Sequence, residues 1–110
     1  MTILTKSNYI IGLQCPKYLW LMFHEPKKIP DADLATQHKF DEGYLVGGLA
    51  KKLFPSGIDI PIDKNIQKTK ELLKEKKPLF EAGFMSNNCF SRADVLVPVG
   101  DKWDIVEVKS

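Results

Sequence analysis

At 110 residues the chain is sized for one domain, and no second domain fits. An apolar content of 44% and a charged content of 27% are ordinary for a folded globular protein and exclude wholesale disorder. The 16 basic and 14 acidic residues leave a formal charge of +2, which excludes the strongly basic footprint of a dedicated nucleic-acid binder.

The segment from Met1 to Tyr9 has no uninterrupted apolar run of the kind a secretory signal needs, and nothing later approaches the roughly 18 apolar residues of a membrane span. A cytoplasmic protein with no membrane partner is the expectation. Ser7 is placed to cap a first helix through Leu13, and Pro16 suits the first turn of a second, Tyr18 to His24. Tyr18, Leu19, Trp20, Leu21, Met22 and Phe23 are apolar nearly all round, which predicts burial on more than one side. Two cysteines, Cys15 and Cys89, are too few for a disulfide scaffold, so free thiols are expected.

From about Asp33 to Phe54 the spacing of Leu45, Leu49 and Leu53 predicts one long helix, stopped by Pro55-Ser56-Gly57. Gly43, Gly47 and Gly48 each cost that helix about 1 kcal/mol against alanine, so close packing on another backbone, or a kink, is expected there. Ile58 to Ile62 reads as a short extended piece. A lysine-rich helix follows from about Asn65 to Lys76, with Ile66, Thr69, Leu72 and Leu73 on one face. The period then changes to that of strands: Leu79 to Phe84, Phe90 to Val97 and Trp103 to Val108, with turn signals at Ser86-Asn87-Asn88 and Gly100-Asp101-Lys102. The expected architecture is α+β, N-terminal helices followed by a three-stranded antiparallel meander. There is no internal repeat and no glycine-rich phosphate loop.

One constellation carries chemistry. Hydrolysis of a phosphodiester needs acidic oxygens to hold a divalent cation and a cationic group near the attacking water. On a strand, Glu107 and Lys109 project to one face, and Asp94 on the neighbouring strand can converge with them. The tripeptide alone is weak, since Glu25-Pro26-Lys27 and Glu75-Lys76-Lys77 match the same pattern. Glu107-Val108-Lys109 differs in following Trp103, Ile105 and Val106, where ionised side chains beside a core are costly unless paired. An edge strand carrying protective charges accounts for the same residues equally well.

Several ordered segments resemble the PD-(D/E)XK nuclease superfamily, in a branch near the RecB-like and CRISPR-associated exonucleases. They are Leu4-Thr5-Lys6-Ser7, Gly12-Leu13-Gln14-Cys15-Pro16-Lys17-Tyr18-Leu19-Trp20, Phe40-Asp41-Glu42-Gly43, Leu53-Phe54-Pro55, Phe80-Glu81-Ala82, Arg92-Ala93-Asp94-Val95-Leu96 and Ile105-Val106-Glu107-Val108-Lys109-Ser110. The resemblance implies a metal-dependent deoxyribonuclease in which Asp94 and Glu107 ligate Mg²⁺ or Mn²⁺, the Val108 carbonyl adds a ligand and Lys109 orients the water. It also offers Glu42 as an extra ligand or the holder of a metal-bound water, and Glu81 as either a residue behind the metal or a surface acid, while Ala93 replaces the proline of the superfamily motif. Relatives carry a metal-binding histidine where this chain has Gly47 or Gly48.

Cys15 matches the first cysteine of an iron–sulfur cluster found in some relatives, but the other three are lacking, so no cluster and a small buried thiol are expected. The family core continues with a helix and strand beyond the Glu-x-Lys motif. Residues 1–110 therefore read as a single, incomplete restriction-endonuclease-like domain with an uncovered sheet edge after Lys109, open to homodimerisation. DNA is the expected partner, and since 15 of the 16 basic residues are lysines and only Arg92 is an arginine, weak sequence preference is expected. The alternative is a non-catalytic nucleic-acid or protein interaction module that keeps the nuclease fold.

Overall fold

Thr5, rather than Ser7, opens the first helix: its hydroxyl accepts the Asn8 backbone N–H at 3.1 Å. Threonine does this from extended backbone, so it also closes the two-residue strand β1, Leu4–Thr5. Helix α1, Lys6–Gln14, then gives way at Cys15 to α2, Pro16–His24, with the proline at its start. The computed structural model describes residues 2–110.

Helix α3, Leu34–Lys51, begins where Asp33 accepts the Thr36 backbone N–H at 2.7 Å. After Gly57 comes β2, Ile58–Asp59, then α4, Asn65–Leu72, which tightens into a 3₁₀ turn over Leu73–Glu75. The long strands β3, Leu79–Ser86, and β4, Cys89–Val99, are joined by Asn87-Asn88, both at positive φ as a type I′ hairpin requires. Gly100, at φ +61°, leads the turn into β5, Lys102–Val106.

The three long strands pair antiparallel in chain order as expected, but the sheet is mixed and has five strands rather than three. Strand β1 adds parallel to β4 at Cys89 and Phe90, and β2 adds parallel to β3 at Leu79 and Phe80. Two-residue strands carry too little periodicity to be seen in sequence. Since β3 occupies one side of β4, β1 and β5 share the other. They leave Ser91 to Asp94 between them with no ladder partner on that side.

The core sits where α4 meets the sheet. Leu79, Ala82, Leu96 and Ile60 form it, with Ile58, Leu72, Leu73 and Trp103 packed around. Leu79 and Ala82 lie three apart, which strict strand alternation would put on opposite faces. Between them Glu81 takes φ +62° and resets the alternation. Buried Asn65 and Thr69 of α4 hold this irregularity: Asn65 Nδ2 donates to the Glu81 carbonyl at 2.8 Å, and the Thr69 hydroxyl accepts Gly83 N–H at 3.0 Å. A Cβ on Gly83 would stand 1.6 Å from Asn65 Oδ1, so only glycine fits.

The helices before the sheet depart from expectation. Trp20 is 51% exposed and Phe23 41%, because α2 packs mainly on α1 and the 3₁₀ turn that follows it, Pro26–Lys28, and not on the sheet. Cys15 is an exposed free thiol, not a buried one, and Cys89 is free as well. Helix α3 is fastened at its C-terminal end. There Lys51 pairs with Asp59 and lies 5.5 Å from the centre of the Phe80 ring, which Phe54 meets edge-on at 6.5 Å. A Cβ at Gly43, Gly47 or Gly48 would meet nothing within 4 Å, so the expected close backbone packing is absent, and the helix runs unbroken through all three. Among the described residues no helix is long and apolar enough to cross a membrane.

Candidate functional site

The unpaired stretch of β4 ends at Asp94. The β4–β5 register, Val95 against Val106, brings Asp94 opposite Glu107 one step further on. The β3–β4 register, Phe80 against Val95 and Ala82 against Ala93, brings Glu81 opposite Asp94 on the other side. Glu81 on β3, Asp94 on β4 and Glu107, one residue past the end of β5, thus stand at one level; β5 stops at Val106, short of the strand through Val108 expected from the sequence. Two of the three, Asp94 and Glu107, are the pair singled out from the sequence.

Each of those two is held through a single oxygen. Asp94 Oδ2 accepts the Val108 backbone N–H at 2.8 Å, which fixes the carboxylate against the chain that carries the Glu-x-Lys motif. Glu107 Oε1 takes two ammonium groups, Lys6 at 3.0 Å and Lys109 at 3.2 Å. Among the described residues, Asp94 Oδ1 and Glu107 Oε2 have no ion-pair or hydrogen-bond partner. First the Lys6 ammonium and then that of Lys109 hold the Glu107 carboxyl below its ordinary range, because both favour the charged form against a small cost of burial. Glu81 is paired with Arg92 at 3.5 Å.

Two clefts meet at this row. One, of about 490 Å³, is walled by Lys6 and Ser7 of α1 on one side and Glu107 and Lys109 on the other, with Glu81 and Asp94 on its floor. The other, of about 420 Å³, runs under α3, whose Gly43, Gly47 and Gly48 face Glu81, Asp94 and Val108 across open space. Asp94 and Glu81 border both. The glycines therefore keep the second cleft open instead of drawing two backbones together.

Of the residues proposed from sequence, Asp94, Glu107 and Lys109 come together around one cleft and Val108 lies beside Asp94 in the other. Glu42 does not join them: on an exposed stretch of α3 it contacts His38 Nε2 at 3.1 Å and lines neither cleft. Among the described residues no three acidic, histidine or cysteine side chains form a ready-made metal cluster. Sequence reasoning missed Lys6 as a partner of Glu107, because the two are 101 positions apart and only the β1–β4 pairing joins them. It likewise missed Asn65, whose grip on Glu81 leaves no local pattern. Compared with known proteins, the chain matches no family model, no curated protein and no solved structure.

Proposed function

We propose that the chain carries the catalytic segment of a metal-dependent nuclease of the PD-(D/E)XK type, hydrolysing DNA phosphodiesters with weak sequence preference. The observation that carries the reading is the pair of carboxylates facing each other across β4 and β5, each anchored by one oxygen with the other free. A hard divalent cation takes oxygen ligands and tolerates such half-engaged carboxylates, so the donor set suits Mg²⁺ or Mn²⁺. In this reading Asp94 and Glu107 hold the ion and the Val108 carbonyl adds a ligand; Glu42 is placed elsewhere and is left out.

The bound ion would supply charge neutralisation at the phosphate and a more acidic water. The chain's own contribution is positional. Val108 N–H keeps Asp94 aimed, and Lys109 lies within reach of both Glu107 and the cleft, where its ammonium can hold the attacking water. With Arg92 as the chain's single arginine and Lys6 and Lys109 as the other cations of the cleft, contact with nucleic acid falls on phosphates, not base edges.

The test is cleavage of plasmid and single-stranded DNA in Mg²⁺ or Mn²⁺, with Asp94→Ala and Lys109→Ala beside the parent protein. Loss of at least about a hundredfold in rate in each variant is expected for a metal ligand and a cation that positions the attacking water. Cleavage that persists unchanged in both rules the assignment out. Salt-sensitive DNA binding with no metal-dependent cleavage replaces the nuclease by a non-catalytic interaction module on the same scaffold.

A further inference from the structure

We infer that Lys6 is a substrate-binding residue of this site, contacting a backbone phosphate of the nucleic acid from the α1 wall of the cleft; the inference rests on the nuclease reading above. Lys6 is the first residue of α1, directly after the two residues of β1 that pair with β4. Apart from the cap that Thr5 gives α1, that short strand adds no residue to the buried core. What it does is bring one ammonium to 3.0 Å from Glu107, across the gap in the β4 edge from Lys109.

The two lysines are not equivalent. Lys109 is attached to the same strand end as Glu107 and its side chain is 78% exposed, whereas that of Lys6 is 49% exposed and reaches the carboxylate from the facing wall. A substrate in the cleft would lie between them. The cleft's charges balance as it stands, Lys6, Arg92 and Lys109 against Glu81, Asp94 and Glu107. A divalent cation on Glu107 competes with both ammonium groups for its charge and leaves the cleft net positive. The released Lys6 ammonium then needs an anion within its reach, and a phosphodiester lying over the metal supplies one. Ser7 on the α1 wall and Ser91 on β4 line the same cleft.

The experiment measures DNA binding by the full chain in Ca²⁺ across a salt series, with cleavage rates in Mg²⁺ measured alongside. Lys6→Gln removes the charge and keeps much of the stem, and Lys6→Arg keeps the charge. Loss of one phosphate contact should lower the slope of log affinity against log salt by about 0.9 on duplex DNA in Lys6→Gln, with Lys6→Arg restoring it. The same variant should raise KM roughly tenfold, as expected for a lost charged hydrogen bond, with little change in kcat.

A Lys6→Gln protein with an unchanged salt slope, whose kcat or metal requirement alone is altered, overturns the inference, because Lys6 then acts only by positioning Glu107. If the parent protein cuts DNA while the slope stays unchanged, the nuclease reading survives without the Lys6 contact. If the slope falls but nothing cuts, the contact stands and the nuclease reading falls. No binding of DNA by the parent protein overturns both. Thermal unfolding of each variant excludes misfolding as the cause, and Lys6→Arg provides the folded control.

Discussion

Among the described residues Glu81 is the non-glycine residue that takes positive φ inside a strand rather than at a turn or a helix end. A left-handed backbone at a non-glycine residue in the middle of a strand costs of order 1 to 3 kcal/mol. It is kept because Asn65 grips its carbonyl and Thr69 ties down Gly83, both from the buried side of α4. Its side chain is carried to the level of Asp94 and paired with Arg92. Glu81→Gly should relieve the strain. Glycine's extra unfolded-state entropy costs about 0.5 to 1 kcal/mol, less than the strain removed, so a net gain of about 1 kcal/mol in stability is expected. Chemical denaturation with both proteins at matched salt checks this; a loss of stability would mean that the Arg92 pairing outweighs the backbone term. At this scale residue type was the informative signal: Asp94 lies on β4 as its position suggests, while Glu107 and Lys109 were expected on a strand through Val108 and lie just past the end of β5. The strain at Glu81 was not legible, since glutamate gives no local signal for positive φ. Cys15 misled because its burial depended on neighbours that α2 does not have.

At the scale of elements, turns were read more faithfully than burial, while the cap of the first helix fell on Thr5 instead of the expected Ser7. Ser86-Asn87-Asn88 and Gly100-Asp101 announce their hairpins because positive φ selects asparagine and glycine. The long helix was legible from its leucines, but its environment was not: Leu45 is 66% and Leu49 52% exposed, and Leu53 lies just past the helix end at Lys51. Periodicity identifies a helix face and says nothing of whether a partner is there to meet it. With little packing to hold its beginning, α3 depends on Asp33. Thr36, through its side chain first and then its backbone N–H, holds the Asp33 carboxyl below its ordinary value of 3.8. A depressed folded-state value means that the charged cap stabilises the helix above the unfolded value and is lost as the pH falls through the folded one. Asp33→Ala should therefore lower the helical circular dichroism signal at pH 6. The difference between variant and parent should fade as the pH drops below 3.8. A difference that persists undiminished at pH 2 would show that the carboxylate charge is not what caps α3.

For the whole molecule, the radius of gyration is 16.0 Å, against about 13 Å for a compact chain of this length. The excess lies in helices attached to the sheet at few points, α2 through α1 and α3 through Lys51 and Phe54. Fold class was legible because helix and strand periods fall in separate halves of the chain. The mixed, five-stranded sheet was not, since β1 and β2 are fixed by the strands they join. Amide hydrogen exchange should divide the molecule accordingly. Amides of β3 and β4, hydrogen-bonded and buried, should be the slowest, and those of residues 34–45 should exchange early through local opening. Equal protection in both segments would show that α3 is clamped along its whole length.

The contact between Lys6 and Glu107 also has a kinetic meaning. Closing a loop across 101 residues costs about 4 kcal/mol by the chain-length dependence of loop entropy alone. An exposed ion pair returns less than about 1 kcal/mol, so this one cannot close that loop and can only follow the strand pairings that do. The two walls of the cleft therefore meet late, after β4 has recruited both β1 and β5, and part early when that edge frays. Whatever chemistry the cleft performs is confined to molecules whose sheet is already whole.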